Sequence, residues 1–262
     1  FSSGSTIFGD TPADDTHQFT GSLFITGSRI ELDDGKSNIA IGANAMDDID
    51  AGSNSLGSTD NIFIGLDAGG GTWADAASTQ NIGIGNYVMD AAMNGALKNT
   101  AVGHRALTDL TTGDGNVAFG YEAADKLTTG NENVLIGGYA GDEITTQDEC
   151  VIIGYAAGSA LNHDNSDGTV AVGYYAGGAL TNASKNIAIG YKALKETITG
   201  GSNIAIGYQA MYQTSASNAA ASSNNLFIGA NAGGGEWTNG TTQKNIGIGN
   251  EALSGPLATS VQ

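Results

Sequence analysis

The chain has 262 residues, 41 of them glycine and two proline, with 27 acidic and nine basic side chains and a net charge of −18. So large a negative charge argues against binding nucleic acid or anionic membrane surfaces. The single cysteine, Cys150, excludes an internal disulfide framework, and no apolar run approaches the length of a transmembrane helix.

Residues 1–37 come first. Phe1 in place of Met points to a piece of something longer or to a processed chain, and no signal-peptide pattern is present. Apolar and polar residues alternate around Phe19 to Leu32. This predicts short strands at 18–26 and 29–32, in a segment that caps the array behind it.

From residue 38 to 253 one phrase dominates. Asn-Ile-Ala-Ile-Gly, or a close variant, occurs twelve times. Its glycines are Gly42, Gly65, Gly85, Gly103, Gly120, Gly137, Gly154, Gly173, Gly190, Gly207, Gly229 and Gly249. Their spacing is 17 residues in the basic unit, and loop insertions lengthen the other intervals to as many as 23. Such self-similarity predicts an all-β parallel solenoid, or β-roll, of about twelve coils with short helical turns. Both prolines, Pro12 and Pro256, lie outside the array, as parallel strands require. Residues 254–262 form a tail or a truncated continuation.

Counting each glycine as position zero, −4 is asparagine in ten copies: Asn38, Asn61, Asn81, Asn99, Asn116, Asn133, Asn186, Asn203, Asn225 and Asn245. Cys150 and Thr169 are the exceptions. Stacked coils bring these side chains into a structural hydrogen-bonded ladder. Positions −3 and −1, almost always Ile or Val, share one strand face and are expected to line the coil interior. Position +3 is alanine in eleven copies, Val88 excepted, and +1 is tyrosine at 121, 155, 174, 191 and 208. Stretches such as Tyr191-Lys192-Ala193-Leu194 predict a single helical turn that tucks Ala and Leu under the next coil.

Column −2 is then expected to face outward. It reads Ala40, Phe63, Gly83, Ala101, Ala118, Leu135, Ile152, Ala171, Ala188, Ala205, Phe227 and Gly247, with no polar member. A continuous apolar face of that length must be covered. Further copies around an axis would cover it, most simply in a homotrimer. Folding of each coil's own helical turn over the column is the competing account.

The charge is uneven: residues 1–149 carry 22 acidic and five basic side chains, and residues 150–262 carry five and four. This predicts a solvated acidic surface that keeps a long particle soluble, or a neutral half that meets a partner. The first three coils are a near copy of the last three, and duplication of a block accounts for this. Asn61-Ile-Phe-Ile-Gly65 with Trp73 is matched by Asn225-Leu-Phe-Ile-Gly229 with Trp237.

The Asn-x-Ala-Ile-Gly phrase resembles the head repeats of trimeric autotransporter adhesins, which form a left-handed parallel β-roll. The fuller pattern is more similar to repeats of bacteriophage tail fibres and other virion structural proteins, as in Asn99-Thr-Ala-Val-Gly103-His-Arg-Ala-Leu107 and Asn186-Ile-Ala-Ile-Gly190-Tyr-Lys-Ala-Leu194. The leader phrases Gly4-Ser-Thr-Ile-Phe-Gly-Asp10 and Thr16-His-Gln-Phe-Thr-Gly-Ser-Leu23 look like the segment that precedes such repeats. These coils are longer than the adhesin repeats, and no coiled-coil stalk or membrane anchor accompanies them, which favours the phage fibre. The resemblance implies a virion appendage, an extracellular shaft that spaces or presents host-recognition elements. A bacterial surface adhesin whose loops bind a host ligand is the alternative.

No catalytic set is expected. His17, His104 and His163 are far apart in the array, and no paired nucleophile and base can be assembled from them. The acid pairs Asp14-Asp15, Asp33-Asp34 and Asp47-Asp48 read as surface acids; calcium is the cation they would take, but the spaced motif of calcium-binding β-rolls is missing. No cofactor is expected. Trp73 and Trp237, on glycine-rich loops, are candidate contacts to a host glycan or protein, or else they fold onto their own coils.

Overall fold

In the computed structural model, residues 36–47, 57–74, 76–162, 166–181, 184–196, 199–212, 222–235 and 243–255 are described. The strands expected at 18–26 and 29–32, His17, His163 and Trp237, and parts of the loops after the first, second, seventh, tenth and eleventh repeats lie outside those residues.

Each repeat gives one three-residue strand, from β1 (Ile39–Ile41) through β2 (Ile62–Ile64), β3 (Ile82–Ile84), β4 (Thr100–Val102), β5 (Val117–Phe119), β6 (Val134–Ile136), β7 (Val151–Ile153), β8 (Val170–Val172), β9 (Ile187–Ile189), β10 (Ile204–Ile206) and β11 (Leu226–Ile228) to β12 (Ile246–Ile248). They form one parallel sheet in sequence order, and equivalent positions pair at every step, as Ala101 with Ala118 and Ala118 with Leu135. The chain is therefore a parallel β-solenoid with one strand per rung. Eleven steps of about 4.8 Å give this sheet a length of roughly 50 Å.

The asparagines sit at the strand entries and bond from rung to rung. The Asn99 side-chain oxygen accepts from both the backbone N–H (2.9 Å) and the amide (3.0 Å) of Asn116, whose amide also donates to the Gly130 carbonyl at 2.8 Å. The pattern repeats at Asn133. It weakens at Cys150, whose backbone N–H still donates to Asn133 at 2.9 Å but whose thiol lies 3.5 Å from the Ser166 carbonyl. Gln147, on the same rung, holds a buried amide nitrogen with no partner. Replacing Cys150 with asparagine supplies the missing amide, and we expect a gain of about 1–2 kcal/mol in urea unfolding. No gain would mean the ladder is not limiting there.

The expected helical turns do not form; the described residues contain no α-helix. After each strand the backbone takes positive φ at the repeat glycine and again at +2 and +4, for instance 147° at Gly120, 51° at Glu122 and 53° at Ala124. Left-handed residues alternating with ordinary ones turn successive N–H groups to opposite neighbours. Glu122 donates back to His104 at 2.9 Å, and Ala124 donates forward to Ala140 at 3.0 Å. A helix would bond within its own turn; the stack wins because each of these bonds ties two rungs together. Glycine at position zero is required twice over. A Cβ at Gly120 would lie 2.4 Å from the Gly137 carbonyl oxygen, in a backbone conformation that side chains avoid.

The core runs along the solenoid axis. Position −2 meets +3 and +4 of the same rung there, so the interior is narrow and lined largely by Ala, Leu, Met and two Phe.

Candidate functional site

The burial of the strands corrects the sequence-based assignment of faces. Phe63, Gly83, Ala101, Ala118, Leu135, Ile152, Ala171, Ala188, Ala205, Phe227 and Gly247 are all buried inside the coils, and only Ala40, on the first rung, is exposed. This column cannot be a self-association face, because the chain covers it. Its small residues make room for neighbours within the coil, not for another molecule. The Phe63 ring occupies the space a Cβ at Gly83 would need, 2.5 Å away, and Phe227 does the same at Gly247.

Positions −3 and −1 therefore point outward. Among them Ile41 is 48 % exposed, Phe119 56 % and Ile248 67 %. Of these residues only Thr100 is not apolar. The +1 residues continue the same surface. The resulting strip, three columns over twelve rungs, has thirty-six positions and not one charge, although the chain holds 27 acidic and nine basic residues. At about 13 Å wide by about 50 Å long it covers roughly 700 Å², above what a monomer commonly leaves in water.

An aromatic ladder runs along the +1 edge of the strip. His104 at +1 stacks on Tyr121 (5.3 Å between centroids, 7° between planes) and meets Tyr87 edge-on at 5.7 Å. Tyr121, Tyr139 and Tyr155 continue it edge to face at 5.4 and 5.7 Å. Tyr155, Tyr174, Tyr191 and Tyr208 are near-parallel at 5.7, 5.4 and 5.2 Å. Sequence reasoning recognised the tyrosines at +1 but missed the continuity, since Tyr87 and Tyr139 enter from +2. Ring faces are occupied by neighbouring rings, so edges and hydroxyls are what this column offers.

Trp73 is fully buried. Its indole N–H donates to the Gly69 carbonyl at 3.0 Å, and its ring stands edge-on to Phe63 at 5.9 Å. It covers its own coil and cannot contact a ligand. Trp73→Ala should cost about 3–5 kcal/mol in thermal unfolding; an unchanged melting curve would contradict its place in the core.

The acidic surface lies on the turns. Arg105 reaches Asp125 at 3.4 Å and Glu122 at 4.0 Å. Burial pushes the Asp142 carboxyl up to about 6, opposed by a backbone hydrogen bond and reinforced by Glu143, and one of its oxygens is buried without a partner. Asp90 is raised by burial and then by Asp67 and Asp47; Asp109 is raised by burial and then by Asp125. An acid with a raised folded pKa stabilises the fold below its unfolded value, about 4, and loses that contribution as pH climbs through the folded value. Stability should thus rise from pH 7 to pH 5. Asp142→Asn should flatten part of that slope and add on the order of 1 kcal/mol at pH 7, after allowance for solvent screening of a half-exposed group. Melting curves at the two pH values check both.

Among the described residues no group of three or more His, Cys, Asp or Glu is placed to hold a metal ion. Burial pushes the Cys150 thiol up to about 11, far from a reactive thiolate. Comparison with known proteins returned no matching family model, curated protein or solved structure.

Proposed function

We propose that this chain is a structural shaft segment of an extracellular fibre, most simply a bacteriophage tail fibre. In it, three copies cover one another's outward strips and hold a host-recognition tip away from the particle. The observation that carries this reading is the uncharged strip of −3, −1 and +1 residues. The requirement for a cover, first reasoned for the inner column, belongs to this outer one. Its roughly 700 Å² approaches the area each partner contributes to a stable interface, about 800 Å². A repeating strip of uniform width suits rotation about an axis parallel to the stack. The similarity of the repeat phrases to those of phage fibres supports the source. The mechanism is mechanical: apolar packing between copies and the ladders within them make a stiff rod. Light scattering on the purified chain tests it. A mass of three times 26.3 kDa is expected, and a stable monomer would overturn both the trimer and the shaft role.

A further inference from the structure

The aromatic ladder, the +1 edge of the strip that the proposed trimer covers, has a chemistry of its own. The side chains most easily oxidised in proteins are those of Cys, Met, Trp and Tyr, and among the described residues this fold sorts them sharply. Cys150 and all four methionines (Met46, Met89, Met93 and Met211) are buried, as is Trp73. Tyr155, Tyr174, Tyr191 and Tyr208 instead lie on the surface, each 39–52 % exposed. They are also in mutual contact, near-parallel and 5.2–5.7 Å apart.

We propose that this run is a site of oxidative tyrosine coupling, at which adjacent rungs become joined as dityrosine. The co-reactant is a one-electron oxidant, in biology a peroxide-driven peroxidase. Each phenol gives up one electron and its hydroxyl proton to become a phenoxyl radical. Two radicals on neighbouring rungs then form a carbon–carbon bond between ring positions ortho to the oxygens. Two ring hydrogens shift to the oxygens as the rings rearomatise, so the product keeps both hydroxyls. In sum, two tyrosines lose two electrons and two protons, which reduce one peroxide to two waters. Rings held in contact by the stack react as one molecule, at an effective concentration no dilution lowers. The product staples coils whose tyrosines are 17 or 19 residues apart in sequence. It closes loops that the unfolded chain would otherwise leave open.

The test is photo-oxidation of the full chain with a ruthenium tris-bipyridine sensitiser and persulfate, which accepts the two electrons as it becomes two sulfates. Dityrosine fluorescence should appear while the product still migrates as a single chain on a denaturing gel. Its yield should not change across a dilution series. Digestion should release peptides joined at Tyr155–Tyr174, Tyr174–Tyr191 or Tyr191–Tyr208, two hydrogens lighter than their sum. Tyr191→Phe, which removes only an exposed hydroxyl, should abolish the two links at Tyr191 and leave Tyr155–Tyr174, whereas Tyr212→Phe should leave all three. Links confined to separate chains, a yield that falls on dilution, or peptides joined elsewhere than within this run would each overturn the proposal. The mass measured by light scattering before oxidation is a separate readout, so the trimer and the coupling site can fail independently.

Discussion

Lysine at position 188 will unfold the rungs around it, whereas lysine one residue on, at 189, will leave the coil folded and, in the proposed trimer, separate the copies. Ala188 is fully buried and stacked between Ala171 and Ala205 in the narrow interior. An ammonium there has no partner and no path to water, so Ala188→Lys should cost several kcal/mol and abolish cooperative melting locally. Ile189 is 37 % exposed on the outward strip. In a single chain a lysine there reaches solvent, and the melt should change by less than about 1 kcal/mol. In the proposed trimer the same charge would be buried between copies, so the scattering mass of Ile189→Lys should fall to one third of the unaltered protein's. If Ile189→Lys kept its full mass, the strip would not be the interface.

The second large effect is expected at Asn116. Its oxygen accepts from the backbone and side chain of Asn133 at 3.1 and 2.9 Å, and its amide bonds Asn99 and the Gly130 carbonyl. Alanine would leave a buried N–H, a buried amide and two acceptors short of partners at once. At about 1–3 kcal/mol for each unsatisfied group, relaxation included, Asn116→Ala should cost about 3–5 kcal/mol in urea unfolding. Asn131, on a partly buried neighbouring column, accepts from the Asp114 N–H at 2.9 Å, and its loss should cost distinctly less. Equal losses at the two sites would mean that burial does not set the ladder's worth.

The strands and their order were legible because the Asn and Gly columns mark entry and exit on every rung. Which strand face looks inward was not, since both faces are apolar and alternation alone is symmetric. A signal that decides it is present in the sequence, in the volumes at −2 and +4. Phe63 goes with Gly69, Leu135 with Gly141, Ile152 with Gly158 and Phe227 with Gly233; conversely Gly83 goes with Met89, Ala101 with Leu107, Ala188 with Leu194 and Ala205 with Met211. Large against small at fixed spacing means two side chains filling one cavity. A Cβ at Gly141 would indeed sit 2.4 Å from Leu135. The helical turn was misread for a related reason. Lys192 and Leu194 are ordinary helix formers, and only stacking on the next rung forces them to φ of 55° and 53°. The glycines at +4 in other repeats hinted at this. The candidate site was legible only in part, because the outward strip could not be placed until the inward column was.

The reciprocity of −2 and +4 carries one more consequence. A coil that fills its own cross-section owes little to the identity of its neighbours, except where a ring overhangs the next rung, as Phe63 does at Gly83 and Phe227 at Gly247. Blocks of coils can then be copied together without repacking, as the likeness of the first and last three repeats illustrates. The fold works as a graduated ruler, longer or shorter by one division of about 4.8 Å for each coil gained or lost.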